Sequence, residues 1–358
     1  METIVNKSRF VNLGATCYQN CILSILCHFP EGFVEYILTG NYLMNLDYKG
    51  VSIENRSEFL IYEYHKILFS FLKNDDKMLK TIDWKRLCGE KNYMFSDNNQ
   101  HDAQEFLSFV IDTFTTELGT ELKMIPKMMI DNSKWNEKRL VLNLLSDEVW
   151  NRFFKRSYSV LVPFFNGMMR TKIECTFCGN IKNNFNPFTI LQVDIPDKEN
   201  PSLEDCIKLY TSEEELDSDN LLSCDGCYNR TIHKKQDSIW KLPKYMIINF
   251  KRFKMNDYGE IVGKNTKKVE YPLEIDMKEL IDNDSKYYDM DNEYYLFGVV
   301  LHNGILTAQR SGGHYRSLVR NRDDCEWYLY DDDDEPERIY EDNLVNENAY
   351  LLFYCKKN

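Results

Sequence analysis

The sequence predicts an α+β fold with helices and strands in separate layers. Three observations carry it. Apolar residues recur at helical spacing in the first third of the chain. From Tyr158 onward the pattern changes to short runs rich in β-branched and aromatic residues. No internal repeat interrupts that order, and helices followed by strands is the signature of segregated layers. At 358 residues the chain exceeds one average domain and suits one large domain or two. Its hydrophobic content of 43% is enough for a full core. The net charge of −13 argues against a general nucleic-acid binder, since nothing would neutralise phosphates. That charge suits a basic partner, or serves solubility alone.

The elements follow in chain order. A polar, Gly-containing turn runs into Cys17, after which Ile22, Ile25, Leu26 and Phe29 recur at helical spacing and Pro30 is a stop signal. Residues 33–72 read as helical and loosely patterned, and residues 84–95 as loop and short helix. The run Ser96-Asp97-Asn98-Asn99-Gln100-His101-Asp102 offers good helix caps. Phe106, Val110, Phe114 and Leu118 then mark a second helix, closed by Gly119. Residues 120–160 give no firm pattern. Residues 160–164, 168–174 and 188–195 read as strands, and residues 239–253 contain a strongly apolar one. Residues 211–220 and 281–293 are acidic loops, and residues 254–268 a polar, mobile loop. Residues 294–302, 314–320, 326–330 and 349–355 are four more strands.

The eleven cysteines include two CxxC pairs, Cys175/Cys178 and Cys224/Cys227. No signal peptide or membrane-length apolar run is recognisable, so an intracellular protein is expected, in cytoplasm and/or nucleus, not secreted and with no membrane partner. In a reducing compartment such pairs bind metal more often than they form disulfides. Four thiolates make a closed tetrahedral zinc site with no open position for water, hence one structural ion.

Cys17 at a helix start sits where unpaired N–H groups and the helix dipole favour a thiolate, which a cysteine nucleophile needs. Ser311-Gly312-Gly313-His314-Tyr315 puts a His at the start of a strand beside small residues. Trp327-Tyr328-Leu329-Tyr330-Asp331-Asp332 puts a carboxylate at the end of the next strand, where it meets His314 across a hairpin and orients the imidazole. Cys, His and Asp together form the set of a thiol protease.

These stretches resemble the ubiquitin-specific proteases. Asn12-Leu13-Gly14-Ala15-Thr16-Cys17-Tyr18-Gln19-Asn20 is similar to their cysteine box, and Gln100-His101-Asp102-Ala103-Gln104-Glu105-Phe106 to their glutamine-containing segment. Gly312 to Asp332 resembles their histidine box, and Leu242-Pro243, Phe250-Lys251-Arg252-Phe253 and Tyr271-Pro272-Leu273 resemble further family segments. The CxxC pairs match the family's zinc site, and the blocks agree in order over nearly the whole chain.

The resemblance implies a single catalytic domain over residues 1–358 with a papain-like fold. Residues 1–120 would be the thumb, 160–245 the zinc-bearing fingers, and 121–159 with 246–358 the palm. It implies a deubiquitinase that hydrolyses the bond after the C-terminal glycine of ubiquitin through a thioester. Cys17 is then the nucleophile, His314 the general base and acid, Asp331 the orienting residue and Asn12 the oxyanion donor. Asp332 is a second candidate beside Asp331. Asp102, Glu105 and Gln100 match the segment that meets the substrate tail. Asp102 and Glu105 lie three apart on one helix face, suited to arginines.

Ala15 and Cys21 depart from the Asn and Ser usual in the family; Ala15 removes a side-chain hydrogen bond before the nucleophile, and Cys21 is expected to be buried. The loop 302–313 is long and contains Arg310; in the family that this chain resembles, this region and the one matching residues 254–268 border the tail channel, so gating is expected to differ here. The chain reads as close to a minimal catalytic core and a monomer with ubiquitin and ubiquitinated proteins as partners. The competing readings are a protease for a ubiquitin-like modifier, a weakly catalytic or non-catalytic ubiquitin-binding module of the same fold, and, without an HExxH motif to support it, a zinc hydrolase.

Overall fold

The computed structural model describes residues 7–30, 32–73, 77–123, 132, 135–256, 258, 261–304 and 313–357. Helices dominate the first third and strands the remainder, with the helices Glu137–Phe154, Leu161–Phe165 and Leu203–Tyr210 among the strands. An eight-stranded sheet runs, edge to edge, through Glu337–Ile339, Trp327–Tyr330, His314–Arg320, Glu293–Asn303, Ala349–Lys356, Tyr245–Phe250 and Ile190–Val193, with Glu274–Asp276 added onto Glu293–Asn303. Most pairings are antiparallel; Ile190–Val193 joins parallel to Tyr245–Phe250.

The central strands are apolar almost throughout because both faces of this sheet are covered. Along Ala349–Lys356, Leu351, Phe353 and Cys355 enter the core shared with the helices, while Leu352 and Tyr354 enter a second core on the far face. The helix Cys17–Cys27 lies against the first face, and all eleven of its residues are buried. It packs closely at Gly298, where an added Cβ would stand 2.6 Å from Ile25 Cδ1. Helices Leu60–Leu72 and Ala103–Leu118 cover its other sides, contributing Tyr64, Leu68, Phe106, Val110 and Phe114 to the same core. A separate four-stranded sheet comprises Ile181–Phe188, Gly167–Cys175, His233–Lys241 and Glu214–Glu215; the Cys175/Cys178 turn joins its first two strands, and the Cys224/Cys227 turn closes a two-stranded hairpin of Leu222–Ser223 with Arg230–Thr231. Among the described residues no helix is long and apolar enough to cross a membrane.

Several segments differ from the sequence expectation, each for a physical reason. Residues 160–164, expected as a strand, form the helix Leu161–Phe165. Pro163 sits in its first turn, where a missing N–H costs nothing, and a short apolar run has no period to separate the two structures. The unassigned region 120–160 contains the helix Glu137–Phe154. It bears apolar residues on two faces: Leu142 and Phe154 are buried while Val141, Leu144 and Phe153 are exposed, so no amphipathic stripe marks it. Residues 239–253 hold two strands broken at Pro243, and residues 188–195 narrow to Ile190–Val193. Part of the expected loop 254–268 is a hairpin of Phe253–Met255 with Ile261–Lys264. Arg310, Ser311 and Gly312 lie outside the described residues.

The helical layer is tied together by one buried carboxylate. The helix Leu60–Leu72 has Phe59 at its N-cap and no side-chain cap of its own. Glu117 supplies it from another helix, accepting from Leu60 N and Ile61 N at 2.9 Å each. Lys91 balances that charge at 2.8 Å. Glu117→Ala should therefore lower stability by about 2 kcal/mol, with Glu117→Gln losing less. Equilibrium urea denaturation reads this, and an unchanged midpoint in the Ala variant would refute the cap.

Candidate active site

Cys17 is the first residue of its helix and is 2% exposed. The preceding loop is built around Asn12 and Thr16. Asn12 Oδ1 accepts from Gly14 N at 2.9 Å and Thr16 N at 3.2 Å, and Thr16 Oγ1 accepts from Leu13 N at 2.9 Å. The loop needs two left-handed residues, Gly14 at φ 102° and Ala15 at φ 52°. Glycine adopts that region freely; alanine does so at a cost of about 1 kcal/mol, which an asparagine would reduce.

His314 opens the strand His314–Arg320 and lies beside Cys17, whose side chain is the largest influence raising the imidazole pKa to about 9. Asp331, just past the end of the neighbouring strand, adds to that rise, with its Oδ1 2.5 Å from His314 Nε2. The hairpin geometry expected from sequence is thus present. Arg316, two residues along the strand, reaches the other carboxylate oxygen at 3.9 Å and donates to Asn303 Oδ1 at 3.0 Å.

Asp332 turns the other way. Its backbone is left-handed at φ 47°. Its Oδ2 accepts from Asn12 Nδ2 at 2.7 Å and its Oδ1 from Asn20 Nδ2 at 2.8 Å. Burial raises its pKa, against the pull of these two amides. Asp331 is therefore the carboxylate bonded to His314, and Asp332 grips the loop and helix that carry Cys17. Cys21 is buried as expected, with Sγ donating to Tyr18 O at 3.2 Å.

A cavity of about 520 Å³ adjoins these groups, lined among others by Ala15, Gln100, Asp102, Phe253, His302 and Gly313. Asp102 caps the helix Ala103–Leu118, accepting from Gln104 N at 2.7 Å and Glu105 N at 3.2 Å. Its other oxygen accepts from Tyr350 at 2.6 Å and Tyr315 at 3.5 Å. Desolvation of the Glu105 carboxyl, with Asp102 nearby, raises its pKa. The Gln100 carboxamide is engaged with the backbone of Gly313.

Cys175, Cys178, Cys224 and Cys227 come together with their sulfurs all within 4.8 Å of one another. The Cys178 and Cys224 sulfurs are 3.6 Å apart, near the separation of about 3.8 Å that a tetrahedral zinc thiolate set requires. Gly226 N donates to Cys224 Sγ at 3.3 Å, as in a metal knuckle, and Gly179 turns the other at φ 70°. This cluster can hold a metal. All eleven cysteines are free thiols.

Sequence reasoning missed Asn20, Arg316, Tyr315 and Tyr350 as parts of the site. Asn20 carried a usable signal, a polar residue one turn after Cys17 on a helix with no exposed face. Tyr350 carried none, because its partner Asp102 lies 248 residues away.

Comparison with known proteins identifies the family. The sequence model of the ubiquitin carboxyl-terminal hydrolase family matches residues 8–354. Ubiquitin carboxyl-terminal hydrolase 5 of Saccharomyces cerevisiae is 28% identical over 381 residues, covering 99% of this chain and 46% of that protein. Ubiquitin carboxyl-terminal hydrolase Usp2 of Drosophila melanogaster is 28% identical over 346 residues, covering 96% of this chain and 34% of that protein. The chain thus spans half or less of the length of these relatives. A chain in the structure of the SAGA Ubp8/Sgf11/Sus1/Sgf73 DUB module bound to ubiquitin aldehyde superposes with a TM-score of 0.72 at 23% identity, over 100% of this chain and 71% of that one. The shared architecture is the papain-like α+β fold, and the chain belongs to the ubiquitin carboxyl-terminal hydrolase family, in its ubiquitin-specific protease branch.

Proposed function

We propose that this protein is a deubiquitinase that hydrolyses the isopeptide or peptide bond after the C-terminal glycine of ubiquitin. The observation that carries the reading is His314 placed between Cys17 and Asp331 at one end of the cavity. In the reaction the Cys17 thiolate attacks the glycine carbonyl. Asn12 Nδ2 and the Cys17 backbone N–H donate to the oxyanion that forms. The His314 imidazolium gives its proton to the departing lysine amine, the carbon–nitrogen bond breaks, and a ubiquitin thioester remains. Neutral His314 then takes a proton from water, the hydroxide adds to the thioester, and Cys17 leaves as thiolate. Asp331 keeps the imidazole in register, and Asp332 holds Asn12 in place.

The substrate tail would run through the cavity past Gln100, with the acidic groups of Glu105 and Asp102 meeting its arginines. We assign residues 1–120 to a thumb, 160–245 to fingers, and 121–159 with 246–358 to a palm, in one catalytic domain. The fingers would hold a single structural zinc on Cys175, Cys178, Cys224 and Cys227, with no open coordination position and so no part in the chemistry. We infer a monomeric intracellular protein whose partners are ubiquitin and its conjugates, with no nucleic acid or membrane partner.

The test is reaction with ubiquitin bearing a thiol-reactive group at its C-terminus, followed by intact mass. Wild type should gain one adduct and Cys17→Ala none, while Cys17→Ala keeps ubiquitin binding. Folded wild type that gains no adduct would contradict the reading. A parallel set of ubiquitin-like probes then separates a different modifier from a non-catalytic binding module. For the metal, elemental analysis should find one zinc per chain. Cys224→Ser should lose it and melt at lower temperature; retention of zinc in that variant would exclude this ligand set.

A further inference from the structure

We propose that Gln100 is a positioning residue that fixes His314 through Gly313, instead of a contact to the substrate tail. The inference rests on the reading of Cys17 and His314 given above. The Gln100 carboxamide pairs with both backbone groups of Gly313: its Nε2 donates to Gly313 O at 2.6 Å, and its Oε1 accepts from Gly313 N at 2.9 Å. A side-chain amide used in this way imitates a neighbouring strand.

The pairing occurs where the strand needs it. The register between Glu293–Asn303 and His314–Arg320 ends at Asn303 opposite His314. Residue 313 lies one step beyond that ladder; among the described residues its peptide has no strand partner there, and Gln100 supplies one. Because His314 follows directly, the plane of the Gly313 peptide fixes the backbone from which the imidazole projects. From the other side His302 closes the space, since a Cβ on Gly313 would fall within its imidazole. His302 is 3% exposed and held by Tyr315 and Phe253, with ring centroids at 4.6 Å and 5.2 Å. Gly313 is thus clamped between a rigid aromatic group and the Gln100 amide.

The clamp also joins the two halves of the site. Gln100 stands two residues before Asp102, the N-cap of the helix Ala103–Leu118. That helix shares a core with the Cys17 helix through Phe106 and Val110. The pairing thus ties the helical layer that carries Cys17 to the strand that carries His314.

Two variants test this, Gln100→Ala and Gln100→Glu. The Glu side chain still accepts from Gly313 N but offers Gly313 O no N–H. Steady-state kinetics on a ubiquitin substrate should show kcat reduced by about 10-fold or more for Ala, with KM within about 2-fold of wild type. Glu should fall between Ala and wild type. Alkylation of Cys17 by iodoacetamide, which needs no ubiquitin, should slow in the same order, and thermal melting identifies any variant that has not folded. If Gln100→Ala is unfolded, the Glu variant decides alone. A raised KM with unchanged kcat and alkylation would make Gln100 a tail contact and overturn the proposal, as would no change in any of them. A wild type that is alkylated yet turns over no ubiquitin substrate counts against the proposed function; the order of alkylation rates still decides the clamp.

Discussion

Everything in the site depends on how closely the Cys17 helix approaches the main sheet. The approach is possible because residue 298 has no side chain, so Ile25 rests where a Cβ would be. With all eleven residues buried, the helix has no freedom to shift without disturbing the core on every side. The position of Cys17 is thus set by packing and not by a mobile loop. His314 comes from a strand of the sheet that the helix presses against, which turns a contact between layers into a contact between side chains.

The charges follow from that contact. His314 gains partners on folding, first Cys17 and then Asp331, against a desolvation that opposes both. Its pKa rises from the ordinary 6.5 to about 9, so the protonated form is the one the fold favours. The stabilisation from this pairing is fully present below 6.5 and is lost as pH rises through about 9. The two aspartates divide the work of holding the site. Asp331 faces the imidazole, while Asp332 binds two amides on the opposite wall. The left-handed backbone at Asp332 is what lets adjacent carboxylates face different partners.

Much of this was legible in the sequence. Helix starts were readable because a polar, Gly-containing turn meets apolar spacing at Cys17 and capping residues meet it at Asp102, and the four cysteines declared themselves by doubled spacing. The hairpin joining His314 to Asp331 was also readable, since both ends carry strand-forming residues around a short connection. What failed was local ambiguity and distance. The run around Pro163 has too few residues to show a period, and the helix Glu137–Phe154 conceals its period by carrying apolar residues on both faces. Which of Asp331 and Asp332 faces His314 is seen only in their hydrogen bonds, since adjacent identical side chains carry no sequence signal to tell them apart. The tyrosines that hold Asp102 come from the other end of the chain. Gln100 was readable as part of the site, but its engagement with Gly313 required the tertiary structure.

The most direct measurement is the pKa of His314, by NMR of the labelled imidazole in wild type and in Cys17→Ala. The account predicts a value near 9 in wild type and a clear drop toward the ordinary range once the Cys17 side chain is removed. A wild-type value near 6.5, unmoved by Cys17→Ala, would mean that the two residues are not coupled and would contradict the site as described.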